Sequence, residues 1–264
     1  MKKILVGMIA IATVAMTLAG CGKTNSDWQQ VQQQGKLKIG ITYYQPMNYK
    51  DETGKLVGFD TQLSEAVCQR LGVIPEFVEI DWDQKVVELK SKNIDCIWNG
   101  MTLTDQLKEN MDFSIPYSGN MQVCVINKAN KDKYTSLQDM AQAKFVAEAG
   151  SVGQKAVENE ALLKDVTLVT LSSQRDTLLE LKSGTADVAV IDGVMAKASV
   201  GEGTDFADLM IVPNIELTKE EYGIGFRKGS DLTEKVNETL QQLTQEGVVQ
   251  QIAEQYPSVM VTLK

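Results

Sequence analysis

Apolar positions along the chain switch between a period of two and a period near 3.6, and the switching runs through the chain twice. Leu37, Ile39 and Ile41 alternate as in a strand, and Thr42 to Tyr49 then forms a loop holding Tyr43, Tyr44 and Pro46. Asp51 to Gly54 is turn chemistry. Leu63, Val67 and Leu71 share one helical face between Thr61 and Leu71, and Asp60 is placed to cap that helix. Phe77 to Ile80 reads as a second strand, followed by Trp82 and a helix over Lys85 to Ser91. From Asp95 a short apolar strand runs to Asn99 and breaks at Gly100 into a loop rich in donors and acceptors. One or two helical turns over Asp105 to Met111 follow, and Pro116 cannot continue them.

The second series has strands at Met121 to Asn127, Lys144 to Ala147, Val166 to Leu171 and Asp187 to Ile191. Between them come a Gly150 to Gly153 loop opening a helix to about Asn159, and a helix over Arg175 to Ser183. The stretches Met210 to Val212 and Tyr222 to Phe226 precede a long helix from Asp231 to about Tyr256, with a break at Gly247. Strands alternating with helices predict an α/β fold with a mostly parallel sheet covered on its faces. Two such series, with similar polar loops at their strand ends, predict two lobes facing one cleft, and open strand ends are where such sheets receive small ligands.

The first residues belong to a different physical class. Lys2 and Lys3 precede an uncharged, mostly apolar run from Ile4 to Leu18, too short for a comfortable span and suited to a secretory signal peptide over residues 1–20. The run ends Leu18-Ala19-Gly20-Cys21, which resembles a bacterial lipobox and makes Cys21 the candidate lipidation site. Residues 21–36 are polar enough to act as a tether to a lipid anchor, their second half forming a short helix capped by Ser26 or Asp27 and stopped at Gly35.

The 264 residues carry a formal charge of −9, which becomes about −11 once residues 1–20 leave with their two lysines. An acidic surface argues against nucleic acid, which needs clustered Lys and Arg. The chain has no histidine, which excludes Ser-His-Asp and Cys-His catalysis and most zinc chemistry. Cys68, Cys96 and Cys124 show no CxxC spacing and sit in apolar or helical runs that suit small buried hydrophobes, with a disulfide between two of them left open by the sequence. The glycine-rich stretches fit neither a phosphate loop nor a dinucleotide fold, so no cofactor and no metal is expected.

Asn99-Gly100-Met101-Thr102-Leu103-Thr104, then Asp112-Phe113-Ser114 and Pro116-Tyr117, resemble the polar amino-acid-binding proteins of ABC importers, the bacterial extracellular solute-binding proteins of family 3. Gly58-Phe59-Asp60, Gly150-Ser151, Asp187 to Asp192 and Tyr222 to Phe226 extend the likeness over nearly all of the mature chain. The resemblance implies a two-lobed periplasmic-binding-protein-like fold of type II. The chain would cross between lobes near Tyr117 to Met121 and Thr218 to Tyr222, giving lobe 1 residues 37–117 and 222–264 and lobe 2 residues 118–221. Closure about the crossings would bury the ligand.

By the same likeness, Asp192 receives the ligand's amine, and a carboxylate ending an apolar strand does need such a partner. Tyr44 and Trp82 match the aromatic walls, with Trp98 read as packing. Asn99, the Gly100 backbone, Thr102 and Thr104 supply hydrogen bonds, and Gly150, Ser151 and Val152 open a helix whose amides can take an anion. Two positions depart from the family pattern. Leu107 stands where an arginine commonly forks onto the α-carboxylate, and Val152 stands where a hydroxyl is usual. Each loss weakens carboxylate capture, by roughly 1.5–3 kcal/mol for a charged partner, although Lys108 could restore some charge.

The implied function is an extracytoplasmic solute-binding lipoprotein, monomeric, that captures a small polar solute and delivers it to an ABC transporter permease. An amino acid is one ligand class; an amine or cation lacking an α-carboxylate is the other. A sensor-associated binding protein and a dehydratase-like enzyme on the same scaffold are the competing functions, and the missing arginine counts against the enzyme.

Overall fold

The computed structural model describes residues 26–264. The signal peptide, the lipobox and Cys21 lie outside the described residues. From Ser26 onward the stretch read as tether is docked rather than slack. Ser26 accepts from the Gln29 amide and opens α1 (Asp27–Gln34), which Gly35 ends. Val31 of α1 is buried, the Trp28 amide donates to Asp231, and Asp27 pairs with Arg227 at 2.9 Å.

The first series gives β1 (Lys36–Ile41), a two-residue ribbon of β2 (Tyr49–Lys50) and β3 (Leu56–Val57), and α2 (Phe59–Leu71). It continues with β4 (Ile74–Glu79), α3 (Lys85–Lys90), β5 (Cys96–Thr102), α4 (Asp105–Lys108) and β6 (Met111–Phe113). The second series gives β7 (Ser118–Asn127), β8 (Lys144–Glu148), α5 (Val152–Asn159), β9 (Thr167–Leu171), α6 (Gln174–Ser183), β10 (Val188–Asp192) and α7 (Gly193–Ser199). The chain returns along β11 (Leu209–Arg227) and closes with α8 (Leu232–Gln245), α9 (Val248–Ala253) and β12 (Met260–Val261). The break expected in the last helix falls at Gly247, whose φ of 77° is left-handed and stops α8.

Among the described residues, ten strands join one sheet in the order β4-β1-β5-β11-β7-β10-β8-β9, with β6 on β11 and β12 on β7. The expectation of a mostly parallel sheet needs correcting. Each flank is parallel, β1 with β4 and β5, and β8 with β9 and β10, but the centre is antiparallel. The cause is β11, which joins the two stretches read separately at Met210 and Tyr222 into one long return strand. It pairs with β5 on one side and β7 on the other, and Tyr222 faces Ser118 while Thr218 faces Gln122. The two segments expected to cross between lobes are therefore hydrogen-bonded to each other in one two-stranded ribbon.

Every residue of β10, and all but Thr102 of β5, is buried, because helices cover both faces of each flank. One cluster of buried side chains includes Ile39, Leu63, Trp98 and Leu240 and reaches Val125 and Ile191; a second gathers Cys124, Phe145, Val157, Val188 and Val190. Cys68, Cys96 and Cys124 are buried with free thiols. Trp98 is wholly buried and packs 6.5 Å from Tyr117, as packing rather than contact would have it.

Candidate functional site

The cleft lies where the C-terminal ends of β5, β8 and β10 meet and holds a cavity of about 40 Å³. Tyr44, Trp82, Asn99, Gly100, Thr102 and Leu107 line it from the first series of elements; Gly150, Ser151, Val152 and Asp192 line it from the second. Ten of the residues singled out from the sequence thus face one cavity, and Thr104 is not among those that line it. Their side chains are not all free to meet a ligand.

Asn99 is committed internally. Its Oδ1 accepts from the Thr42 amide at 3.1 Å and hydroxyl at 2.7 Å, and its Nδ2 donates to the Thr42 carbonyl and to Asn48 Oδ1. Four hydrogen bonds exhaust the donors and the usual acceptor positions of one amide, so Asn99 shapes the wall instead of reading the ligand. Thr104, expected to contact ligand, caps α4 by accepting from the Leu107 amide at 3.2 Å. Asp60, expected to cap α2, is in its first turn behind Gly58 and is fully buried. Its carboxylate accepts from the Gly100 amide at 2.7 Å and the Tyr117 hydroxyl at 2.9 Å, holding the strand break at Gly100 against the crossing. Burial pushes that carboxyl up to about 7.

Asp192 ends β10 and is 6% exposed. Its Oδ1 accepts from Asn120 at 2.6 Å and Gln122 at 2.5 Å, and its Oδ2 from Gln174 at 2.5 Å. Burial raises its proton affinity, and the three amides, Gln174 first, pull it back. Neutral amides orient a carboxylate without cancelling its charge, so the site keeps its pull on a cation. Behind it, Glu220 on β11 accepts from Thr102 at 2.6 Å and Asn120 at 3.1 Å; burial, then the Asp192 charge, push it up to about 7. Thr102 therefore spends its proton on a crossing strand.

Tyr44 is buried, its hydroxyl 2.8 Å from that of Tyr222, while Trp82 is half-buried and open to the cleft. Leu107 packs with Trp82 on a cluster including Ile80, Leu89 and Met101 and offers no charge. Ser151 Oγ caps α5 by accepting from Gln154, and Gly150 donates to Gln154 Oε1. The Val152 and Gly153 amides that follow form the start of the helix, where an anion is favoured.

Sequence reasoning passed over Thr42, Tyr43, Lys85, Met101, Glu148 and Gln174, which also line the cleft. Lys85 is 5% exposed, and its Nζ donates to the Trp82 carbonyl at 2.8 Å and, across the cleft, to the Gly150 carbonyl at 3.1 Å. Burial pushes it down to about 8. Glu148 could have been found, because it ends an apolar strand just as Asp192 does. Gln174 could not, since nothing in a helix start marks which glutamine turns inward.

The family model for bacterial extracellular solute-binding proteins, family 3, matches residues 37–258. An arginine-binding extracellular protein of Bacillus subtilis (strain 168) is 28% identical over 261 residues, covering 97% of this chain and 98% of its own. The L-cystine-binding protein of Escherichia coli (strain K12) is 25% identical over 263 residues, covering 99% and 97%. Among solved structures, an ancestral arginine-binding protein bound to arginine superposes with a TM-score of 0.78 at 36% identity, covering 84% of this chain and 98% of its own. These similar proteins are binding proteins, and the solved one shares the two-lobed fold.

Proposed function

The chain belongs to the bacterial extracellular solute-binding proteins of family 3, and from that premise we propose that it captures an amino acid between its lobes, outside the cytoplasm, and hands it to the permease of an ABC transporter. The observation that carries this reading is Asp192, a buried carboxylate facing the cleft with three neutral amides and no cation bonded to it among the described residues. The ligand's ammonium completes that set. Tyr44 and Trp82 flank its side chain, the Gly100 backbone lies beneath it, and Leu107 and Val152 supply apolar contact. The α-carboxylate goes to the amides that open α5 beside Gly150 and Ser151, since Leu107 offers no guanidinium.

Lobe 1 comprises residues 37–117 and 222–264 with α1 docked on it, and lobe 2 residues 118–221. Residues 1–20 are removed, and a lipid on Cys21 holds the monomeric protein at the membrane. The reading supposes binding without turnover.

Thermal-shift and calorimetric titration of ligand-stripped protein against the amino acids tests it, with membrane fractionation of Cys21→Ser reporting the anchor. A ligand that binds only the folded form raises the melting temperature by mass action. Asp192→Ala should weaken the best ligand by about ten- to hundredfold, the loss of one charged hydrogen-bond partner. If no amino acid or amine shifts the melting temperature, or if Asp192→Ala binds as the parent does, the reading fails.

A further inference from the structure

One cleft carboxylate has no role in that scheme. Glu148 ends β8 as Asp192 ends β10, and because these strands lie side by side in parallel, both acids emerge at the same edge of the sheet. Glu148 is 4% exposed and lines the cavity. The hydrogen-bonding side chain beside it is Gln174, whose amide nitrogen also serves Asp192. Among the described residues no lysine or arginine forms an ion pair with it. The charged groups that act on it are Asp192 and Asp176, which repel its charge, and Lys85, which attracts it. Lys85 has its ammonium on the Trp82 and Gly150 carbonyls.

A buried carboxylate that faces a second carboxylate and lacks a bonded counter-ion costs the empty protein stability. It is not replaced by an apolar side chain, although its neighbours in β8, Phe145, Val146 and Ala147, are all buried apolar residues. Tyr43, Tyr44 and Trp82 line the same space and show that aromatic faces here already receive cations, since the Lys50 ammonium lies 4.6 Å from the Tyr43 ring centre and that of Lys85 4.5 Å from the Trp82 ring centre.

We propose that Glu148 is a second cation anchor, and that the ligand is a small molecule with two cationic groups, an ammonium at Asp192 and an ammonium, guanidinium or amidinium at Glu148. This rests on the capture reading above and deepens it. A neutral amino acid of the same shape leaves Glu148 buried and unpaired, and is rejected for that reason. Two sources share this chemistry: basic or bis-ammonium amino acids, and diamines without a carboxylate.

The test is calorimetry on the ligand-stripped mature protein with paired probes: L-arginine against L-citrulline, L-lysine against L-norleucine, and L-cystine against L-cysteine, with agmatine and cadaverine as carboxylate-free dications. In at least one pair the dication should bind tenfold or more tightly than its partner. Glu148→Gln should collapse that ratio towards one, and Glu148→Asp should keep a preference for the dication; melting curves of both variants without ligand report their folding. Tighter agmatine than arginine assigns the diamine source, and the reverse assigns the amino acid. If both members of every pair bind within threefold of each other, or if the ratio survives in Glu148→Gln, Glu148 is no anchor. The capture reading still stands in that case, provided Asp192→Ala weakens both members. If no probe and no amino acid binds at all, both readings fall together.

Discussion

The acids around the cleft set how the empty protein responds to pH. Burial, and for Glu148 and Glu220 next the Asp192 charge, push Glu148 up to about 8 and Glu220 to about 7; burial alone lifts Asp60 to about 7. A group raised in this way holds its proton in the folded state after the unfolded chain has lost it. Its stabilising contribution is complete below the unfolded value near 4, and is lost as pH rises through the folded value. Lys85, pushed down to about 8 by burial, loses its charge only at the upper edge of that window. Asp112 opposes at the acid end, because the Gly229 amide holds it low and its contribution disappears as pH falls. The ligand-free melting temperature should therefore be highest near pH 5 and fall steadily towards pH 8, a trend scanned in one series of buffers. A melting temperature that climbed from pH 5 to pH 8 would falsify the buried-acid account. The same residues show what a sequence reveals at this scale. Asp192 was legible through the family likeness, with which a carboxylate closing an apolar strand agrees. Glu148 carries the same mark, but the Ala149-Gly150-Ser151 turn after it drew the reading towards an anion. Asn99 and Thr102 were legible as cleft-facing, yet their partners, Thr42, Asn48 and Glu220, come from distant segments that no local pattern joins to them.

Most elements could be read from the chain, because an apolar strand or an amphipathic helix is a local pattern and a glycine or proline ends it. Two features could not. The return strand β11 contains Pro213 and the charged run Lys219-Glu220-Glu221, so its apolar rhythm fails midway. Pairing with β7 and β5 keeps it extended, with register shifts after Ile211 and Glu216. The docking of α1 was hidden for a different reason. Arg227 Nε meets Asp27 at 2.9 Å, its Nη2 meets Asp95 at 3.1 Å, and its Nη1 donates to the Ile94 carbonyl at 2.6 Å. These residues lie far apart in sequence and are brought together only by the finished sheet. All three charged side chains are 13% exposed or less, so removing the guanidinium leaves Asp95 without its cation and Asp27 with only Lys92, at 3.6 Å, in a poorly solvated corner. Arg227→Leu should cost about 3 kcal/mol, the lower end for breaking a buried pair. Urea denaturation of parent and variant measures it. A loss below about 1 kcal/mol would mean that α1 is held by Val31 and Trp28 packing alone.

At the scale of the whole molecule the lobes meet along one seam at the cleft mouth. Lys85 reaches the Gly150 carbonyl at 3.1 Å, Lys155 donates to Gln106, and Gly150 presses on the turn at Asp83. Gly150 has φ +69°, and a Cβ built there would stand 2.9 Å from the Asp83 Cα. The neighbour is backbone, which cannot swing aside as a side chain would. Gly150→Ala thus acts in two separable ways. The left-handed conformation costs about 1–2 kcal/mol whether the lobes are together or apart, whereas the clash with Asp83 exists only when they are together. A ligand shifts an open–closed equilibrium only by its preference for the closed form, so a penalty confined to that form subtracts directly from affinity. The variant should melt a few degrees lower without ligand and bind the parent's best ligand at least about tenfold more weakly. Small-angle scattering should show the parent contracting when ligand is added and the variant contracting less. Contraction and affinity matching the parent would place the closing contact elsewhere along the ribbon of β7 and β11, with Gly150 needed only for the turn that opens α5.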